Sequence, residues 1–207
     1  MAWRLWAQGN DRKIGLVPDY RDSITNKQVE RSKMEKFILV LLVGGLLTGC
    51  AGGIVSGGVE RAEVVLMPTE GSKAMGFVSF ARTGDKLRVV AEVNGLAPGL
   101  HGFHIHEIGD CSAPDASSAG GHFNPAGGHH GSPDQADHHA GDMPQLVADA
   151  GGVARLTAYI DGVSLQRNAE VGIRGRSVVV HAQADDFRSQ PAGNSGGRLA
   201  CGVIPVK

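Results

Sequence analysis

The chain has 207 residues, 42% hydrophobic and 5% aromatic, with 31 glycines and a net charge of −1. That length suits one ordinary domain plus extra chain at an end, and the glycine-rich, aromatic-poor mixture favours a loop-rich all-β domain over a helical bundle. Residues 51–207 hold 12 Lys/Arg against 16 Asp/Glu, a balance of −4 with no basic run, which argues against nucleic acid as a partner.

Residues 1–33 are polar and non-periodic. Phe37 to Thr48 is then an apolar run of 12 residues, flanked by Arg31, Lys33 and Lys36 and closed by Leu47-Thr48-Gly49-Cys50. A bilayer span needs about 20 residues, so the run does not cross one. Positive flank, apolar run and small-residue cleavage site follow in the order of a signal peptide, and the closing four residues resemble the lipobox of bacterial lipoproteins. A buried strand or short helix ending in an ordinary cysteine is the alternative. We therefore expect residues 1–33 to be a non-native or disordered extension, with translation starting at Met34. Residues 34–50 are expected to be a lipoprotein signal peptide with lipidation at Cys50, residues 51–58 a flexible tether, and residues 59–207 the functional domain. The predicted location is the periplasm or cell envelope, with membrane contact only through that lipid.

Leu87, Val89, Ala91 and Val93 alternate with polar residues, which predicts a half-buried strand. Thr83-Gly84-Asp85 before it reads as a hairpin turn from a strand over Phe77–Ala81. Val153–Ile160, Ser177–His181 and Leu199–Val203 are further strands, and no stretch has helical periodicity. Short strands joined by glycine-rich turns predict an antiparallel sandwich or flattened barrel. Ile108 to Gln145 breaks the rhythm, with no strand or helix pattern. A loop that long in a compact domain is usually functional or disordered. With Cys50 lipidated, Cys111 and Cys201 remain as one pair, which favours a disulfide in an oxidising compartment over two reduced thiols.

Eight of the nine histidines fall between positions 101 and 139, and the ninth is His181. His104-Ile105-His106 on a strand turns both imidazoles to one side, and a neighbouring strand can bring His181 beside them. His122, His130, His139 and Asp142 follow at intervals of 8, 9 and 3. Three imidazoles and a carboxylate suit a structural zinc site, whereas the imidazole-only strand group suits copper. The alternative is a metal-buffering histidine tract with no defined site.

His101-Gly-Phe-His-Ile-His-Glu, Gly121-His-Phe-Asn-Pro, Gly175-Arg-Ser-Val-Val-Val-His and Gly197-Arg-Leu-Ala-Cys-Gly-Val-Ile resemble the signature segments of the copper/zinc superoxide dismutases. They stand in that family's order, over roughly residues 60–205. The resemblance implies a Greek-key β-sandwich with long metal-binding loops, one copper and one zinc per subunit, and dismutation of superoxide to oxygen and hydrogen peroxide. His104, His106, His122 and His181 would bind copper, and His122 would bridge to a zinc held also by His130, His139 and Asp142. Asp185 would link His104 and His130 from behind. Arg198 would attract the anionic substrate, and Cys111 and Cys201 would form the family's disulfide. His101 matches a position that packs beneath the copper site, and His129 and His138 are expected to face solvent.

Two rival readings remain. A metal buffer or metallochaperone explains the histidines but not Arg198 or Asp185. A dismutase-like domain that had lost copper would lack ligands, and none is missing. Monomer and homodimer both stay open, because no interface motif is readable.

Overall fold

The computed structural model describes residues 60–166 and 168–207. The expected signal peptide, the lipidated Cys50, the tether and the boundary at residue 59 lie outside the described residues. Nine strands form: β1 Arg61–Pro68, β2 Met75–Thr83, β3 Lys86–Asn94, β4 Gly99–His101, β5 Phe103–His106, β6 Leu146–Ala148, β7 Ala154–Ile160, β8 Ser177–His181 and β9 Arg198–Val203. Among the described residues the one helical element is a single 3₁₀ turn, Ser117–Ala119.

The strands lie side by side in the order β4-β6-β7-β3-β2-β1-β9-β8-β5, and every paired neighbour is antiparallel. The two outermost strands, β4 and β5, are consecutive in the chain and separated only by Gly102. The row therefore bends round until its edges nearly meet, which gives a flattened, nearly closed barrel. β1 makes the second corner, pairing with β2 over Arg61–Leu66 and passing to β9 at Met67 and Pro68. The neighbours β3–β7, β1–β9 and β5–β8 are distant in sequence, as a Greek-key path requires.

Period-two patterning places the core. On β3, Leu87, Val89, Ala91 and Val93 are buried, and they pack with Val64, Val78, Phe80 and Ile160 inside the barrel. Phe103 and Ile105 of β5 and Val178 and Val180 of β8 join the same cluster. Alternation then sends His104 and His106 of β5 to the opposite side. That side is covered as well. Val179 packs with Ala116, Ala119 and Cys201, so β8 is buried on both faces.

The hairpin turn is two residues, Gly84 and Asp85, closed by the pair Thr83–Lys86. The expected strand over Phe77–Ala81 extends to Met75–Thr83, and the last strand begins at Arg198. The long segment Ile108–Gln145 forms no strand, as expected, but it is ordered by backbone contacts with the free edge of β5. Phe123 N donates to Ile105 O at 2.8 Å, Ile105 N to Gly141 O at 2.9 Å, and Glu107 N to Gly121 O at 2.9 Å. Gly141 is a necessity here, because a Cβ would stand 2.2 Å from Ile105 O. Residues flanking His122 and Asp142 are thereby laid against the strand that carries His104 and His106.

Candidate metal centre

Seven side chains converge beside β5. His104 and His106 come from β5 and His181 from the end of β8, where a register shift between Val180 and His181 re-aims the imidazole. His122, His130, His139 and Asp142 come from the long loop. All seven are buried. They form two groups, His104/His106/His122/His181 and His122/His130/His139/Asp142, and within each the ligand atoms lie inside 4.8 Å of one another. His122 belongs to both.

Hydrogen bonds decide which nitrogen of each ring faces inward. His104 Nε2 donates to Asp185 Oδ2 at 2.6 Å, His106 Nδ1 to Gly120 O at 3.0 Å and His181 Nδ1 to Gly196 O at 3.3 Å. The opposite nitrogens remain: His104 Nδ1 and His122 Nε2 are buried with no partner, and His106 Nε2 and His181 Nε2 stand 3.3 Å apart. Buried polar atoms without partners are costly and rare. Four inward imidazole nitrogens fit a copper ion, which favours such ligands.

In the second group, Asp142 Oδ1 lies 2.8 Å from His122 Nδ1, 3.0 Å from His130 Nδ1 and 3.7 Å from His139 Nδ1. Its other oxygen, Oδ2, accepts from Gly131 N at 3.1 Å and His139 N at 2.9 Å, which fixes the carboxylate. Three nitrogens and one oxygen facing a common centre fit a closed zinc site, and the partnerless Nδ1 of His139 points the same way.

Burial pushes His104 down to about 4 and His181 to about 3, with neighbouring imidazoles adding to the effect, and holds His106 well below its ordinary value. His139 is lowered by burial as well. These rings are neutral at physiological pH, the form a metal requires. His130 departs from this pattern. Burial opposes its charge, but Asp142 and Asp185 together outweigh it and raise it to about 9. For both carboxylates burial works against ionisation, yet hydrogen bonds from the imidazoles hold each well below the usual range.

Asp185 lies between the groups, with Oδ2 on His104 and Oδ1 accepting from His130 Nε2 at 2.8 Å. Gly193, with φ of 62°, lies so close that a Cβ would overlap that carboxylate. Cys111 and Cys201 form a disulfide, Cα–Cα 5.8 Å.

A family model for copper/zinc superoxide dismutase matches residues 74–204. The chain belongs to the copper/zinc superoxide dismutase family. It is 42% identical over 154 residues to superoxide dismutase [Cu-Zn] 2 of Brassica juncea, covering 71% of this chain and 98% of that one. It is 37% identical over 163 residues to the extracellular superoxide dismutase [Cu-Zn] of Onchocerca volvulus, covering 74% and 80%. The solved structure of the clock protein EA4 superimposes with a TM-score of 0.65 at 39% identity, over 72% of this chain and 96% of that one.

In this dismutase-family chain a cavity of about 590 Å³ opens over the first group, lined by His106, His122, His181, Arg198, Glu107 and Gln190 among others. Arg198 Nη1 donates to Ala116 O and Nη2 to Gly120 O, both at 2.6 Å. Gly120 O thus accepts from both Arg198 and His106. His101 is buried behind the first group, each ring nitrogen 2.8 Å from a carbonyl, that of His181 and that of Ala97. His129 is exposed and meets Asp137 at 3.0 Å. His138 is half-buried rather than solvent-facing, because its Nδ1 turns back to His139 O at 2.7 Å.

Spacing could not reveal the carbonyls of Ala116, Gly120 and Gly196, since backbone acceptors carry no residue signature. Gln145 and Gln190, which contact Asp185 and His130, were also missed. A lone glutamine in a loop is ordinary.

Proposed function

We propose that this chain dismutates superoxide to oxygen and hydrogen peroxide outside the cytoplasm. His104, His106, His122 and His181 hold copper, and His122, His130, His139 and Asp142 hold zinc. The observation that carries this reading is the position of His122, whose Nδ1 faces Asp142 while its buried Nε2 has no partner on the side of the other three histidines. When bound, copper supplies a one-electron couple and zinc, which has no redox chemistry, supplies a fixed positive charge. When not engaged by copper, His122 Nε2 is the atom that would take up one proton and pass it to peroxide, the second proton coming from solvent. Arg198 draws the superoxide anion into the cavity and holds it by charge. Asp185 keeps the outward nitrogens of His104 and His130 protonated, so that their inward nitrogens stay free.

The extracellular location named for the Onchocerca relative supports export. Anchoring through a lipid on Cys50 belongs to the same proposal and rests on the apolar run and lipobox-like residues. Pairing of two copies is supported by four outward apolar side chains on β1 and β2. Val65 lies opposite Phe77, and Met67 and Met75 continue the patch, all at least half exposed. Sedimentation velocity reads that pairing.

The deciding experiment loads residues 51–207 with copper and zinc, counts both metals, and follows superoxide decay before and after a copper chelator. About one of each metal with fast decay that vanishes on copper removal is expected, given two four-ligand groups per chain. Zinc alone, or both metals without decay, would replace the enzyme with a metal-binding module.

A further inference from the structure

Two glutamines reach across between the loops that flank the histidine cluster. Gln145, near the end of the histidine loop, turns its amide onto the backbone of Asp185 in the opposite loop. Asp185 N donates to Gln145 Oε1 at 2.8 Å, and Gln145 Nε2 donates to Asp185 O at 3.1 Å. Gln190, in that opposite loop, does the converse to the histidine loop. His130 N donates to Gln190 Oε1 at 2.8 Å, and Gln190 Nε2 donates to His130 O at 2.9 Å. Each amide satisfies both backbone groups of one residue, as a neighbouring strand would.

The two residues so held are the partners of a single hydrogen bond, His130 Nε2 to Asp185 Oδ1. Among the described residues, neither His130 nor Asp185 makes any backbone–backbone hydrogen bond. The backbone N–H and C=O of each are therefore paired with these two glutamines and with no other backbone group. His104 differs, because its strand ladder places it. Yet its ring orientation depends on the same carboxylate, through Oδ2.

We propose that Gln145 and Gln190 are positioning residues forming a reciprocal clamp. Each loop fixes the other's member of the His130–Asp185 pair, and the pair fixes the direction of the inward nitrogens of His130 and His104. The inference rests on the metal-centre reading above and adds how the two loops are registered. Each glutamine holds one end of the His130–Asp185 contact, so loss of either frees one end and misaligns the shared hydrogen bond. The two losses are then strongly non-additive.

The test uses the full chain with Gln145→Ala, Gln190→Ala, the double variant, and Gln190→Glu. The last keeps the acceptor for His130 N and removes the donor to His130 O. Two quantities are read: zinc release into a chelator, and proton-NMR exchange of the His104 and His130 Nε2–H, with and without zinc. Outer hydrogen-bond partners of metal-bound imidazoles typically change affinity 10–100-fold, so each single variant should release zinc about tenfold faster or more. The double variant should stay within about threefold of the worse single. The His104 Nε2–H should exchange faster in Gln190→Ala, although that substitution touches neither His104 nor its strand. Thermal melting of each variant checks that the barrel is intact, and Gln190→Glu serves if an alanine variant does not fold. Unchanged zinc release and unchanged exchange would overturn the clamp. So would a Gln190→Ala effect confined to His130, which would make the glutamines two independent loop staples. If the natural chain takes up no zinc, the metal reading fails, and exchange in the metal-free protein still decides the clamp.

Discussion

Arg198 directs two guanidinium nitrogens at Ala116 O and Gly120 O, yet its side chain still lines the cavity over His106 and His181. Two-point attachment suits a planar fork and not an ammonium, so lysine would restore the charge without the aim. Arg198→Ala should lower kcat/KM about tenfold and flatten its dependence on salt, because steering of a small anion by local charge is screened. Copper content should not change, since Arg198 is in neither ligand group. Stopped-flow decay at several ionic strengths checks this, and an unaltered salt slope would place the steering elsewhere. His130 supports a second expectation. Its value is raised to about 9 by Asp142 and Asp185 against burial, so the metal-free chain carries a proton there at neutral pH. A raised value means that the stabilisation is fully present below the unfolded value of about 6.5 and is lost as pH climbs through about 9. The metal-free melting temperature should fall over that window. Zinc must displace that proton, so calorimetry in buffers of different ionisation heat near pH 7.5 should register about one proton released per zinc.

At the scale of the element, the disulfide joins the start of the histidine loop to β9, three residues beyond Arg198. Between Cys111 and the Gly120 carbonyl the loop packs Ala116 and Ala119 against Val179 and Cys201. The bridge thus stabilises the carbonyls that hold both Arg198 and His106. The variant Cys111→Ser with Cys201→Ser should lose about 4–5 kcal/mol of stability by the chain-entropy model for a separation of 90 residues. It should also lose activity while retaining zinc, because the second group lies on the other arm of the loop. Chemical denaturation and metal counting separate the two effects. What was legible beforehand follows element length and period. Leu87–Val93 alternates cleanly, and Ser177–His181 announces itself as an apolar run ending in histidine. β4 and β6, three residues each, are too short for any pattern to build up. They become strands through pairing, β4 with β6 and β6 in turn with β7 at one edge of the sheet. The histidine spacing exposed the side chains that the structure gathers. It could not expose Gly141 or Gly193, whose necessity lies in contacts with residues 36 and 8 positions away, Ile105 and Asp185.

For the whole molecule, charge and address must be reconciled with an anionic substrate. Residues 51–207 carry a balance of −4, which opposes superoxide at long range, so encounter depends on the local field at one cavity. If the chain is exported and tethered as proposed, the tether would hold the cavity near the membrane surface. The apolar run Phe37–Thr48 is about 18 Å long as a helix at 1.5 Å per residue, well short of a hydrocarbon core of roughly 30 Å. Retention at a membrane, as proposed, would then rest on acyl chains at Cys50 and not on a span, and stable anchoring by lipid takes more than one chain. If Cys50 carries them, the full chain expressed in a bacterial cell should enter the detergent phase on Triton X-114 partition, and Cys50→Ser should move it to the aqueous phase with activity unchanged. Partition of both forms into the aqueous phase would make the protein a freely soluble exported one. Partition of both into detergent would assign retention to the apolar run itself.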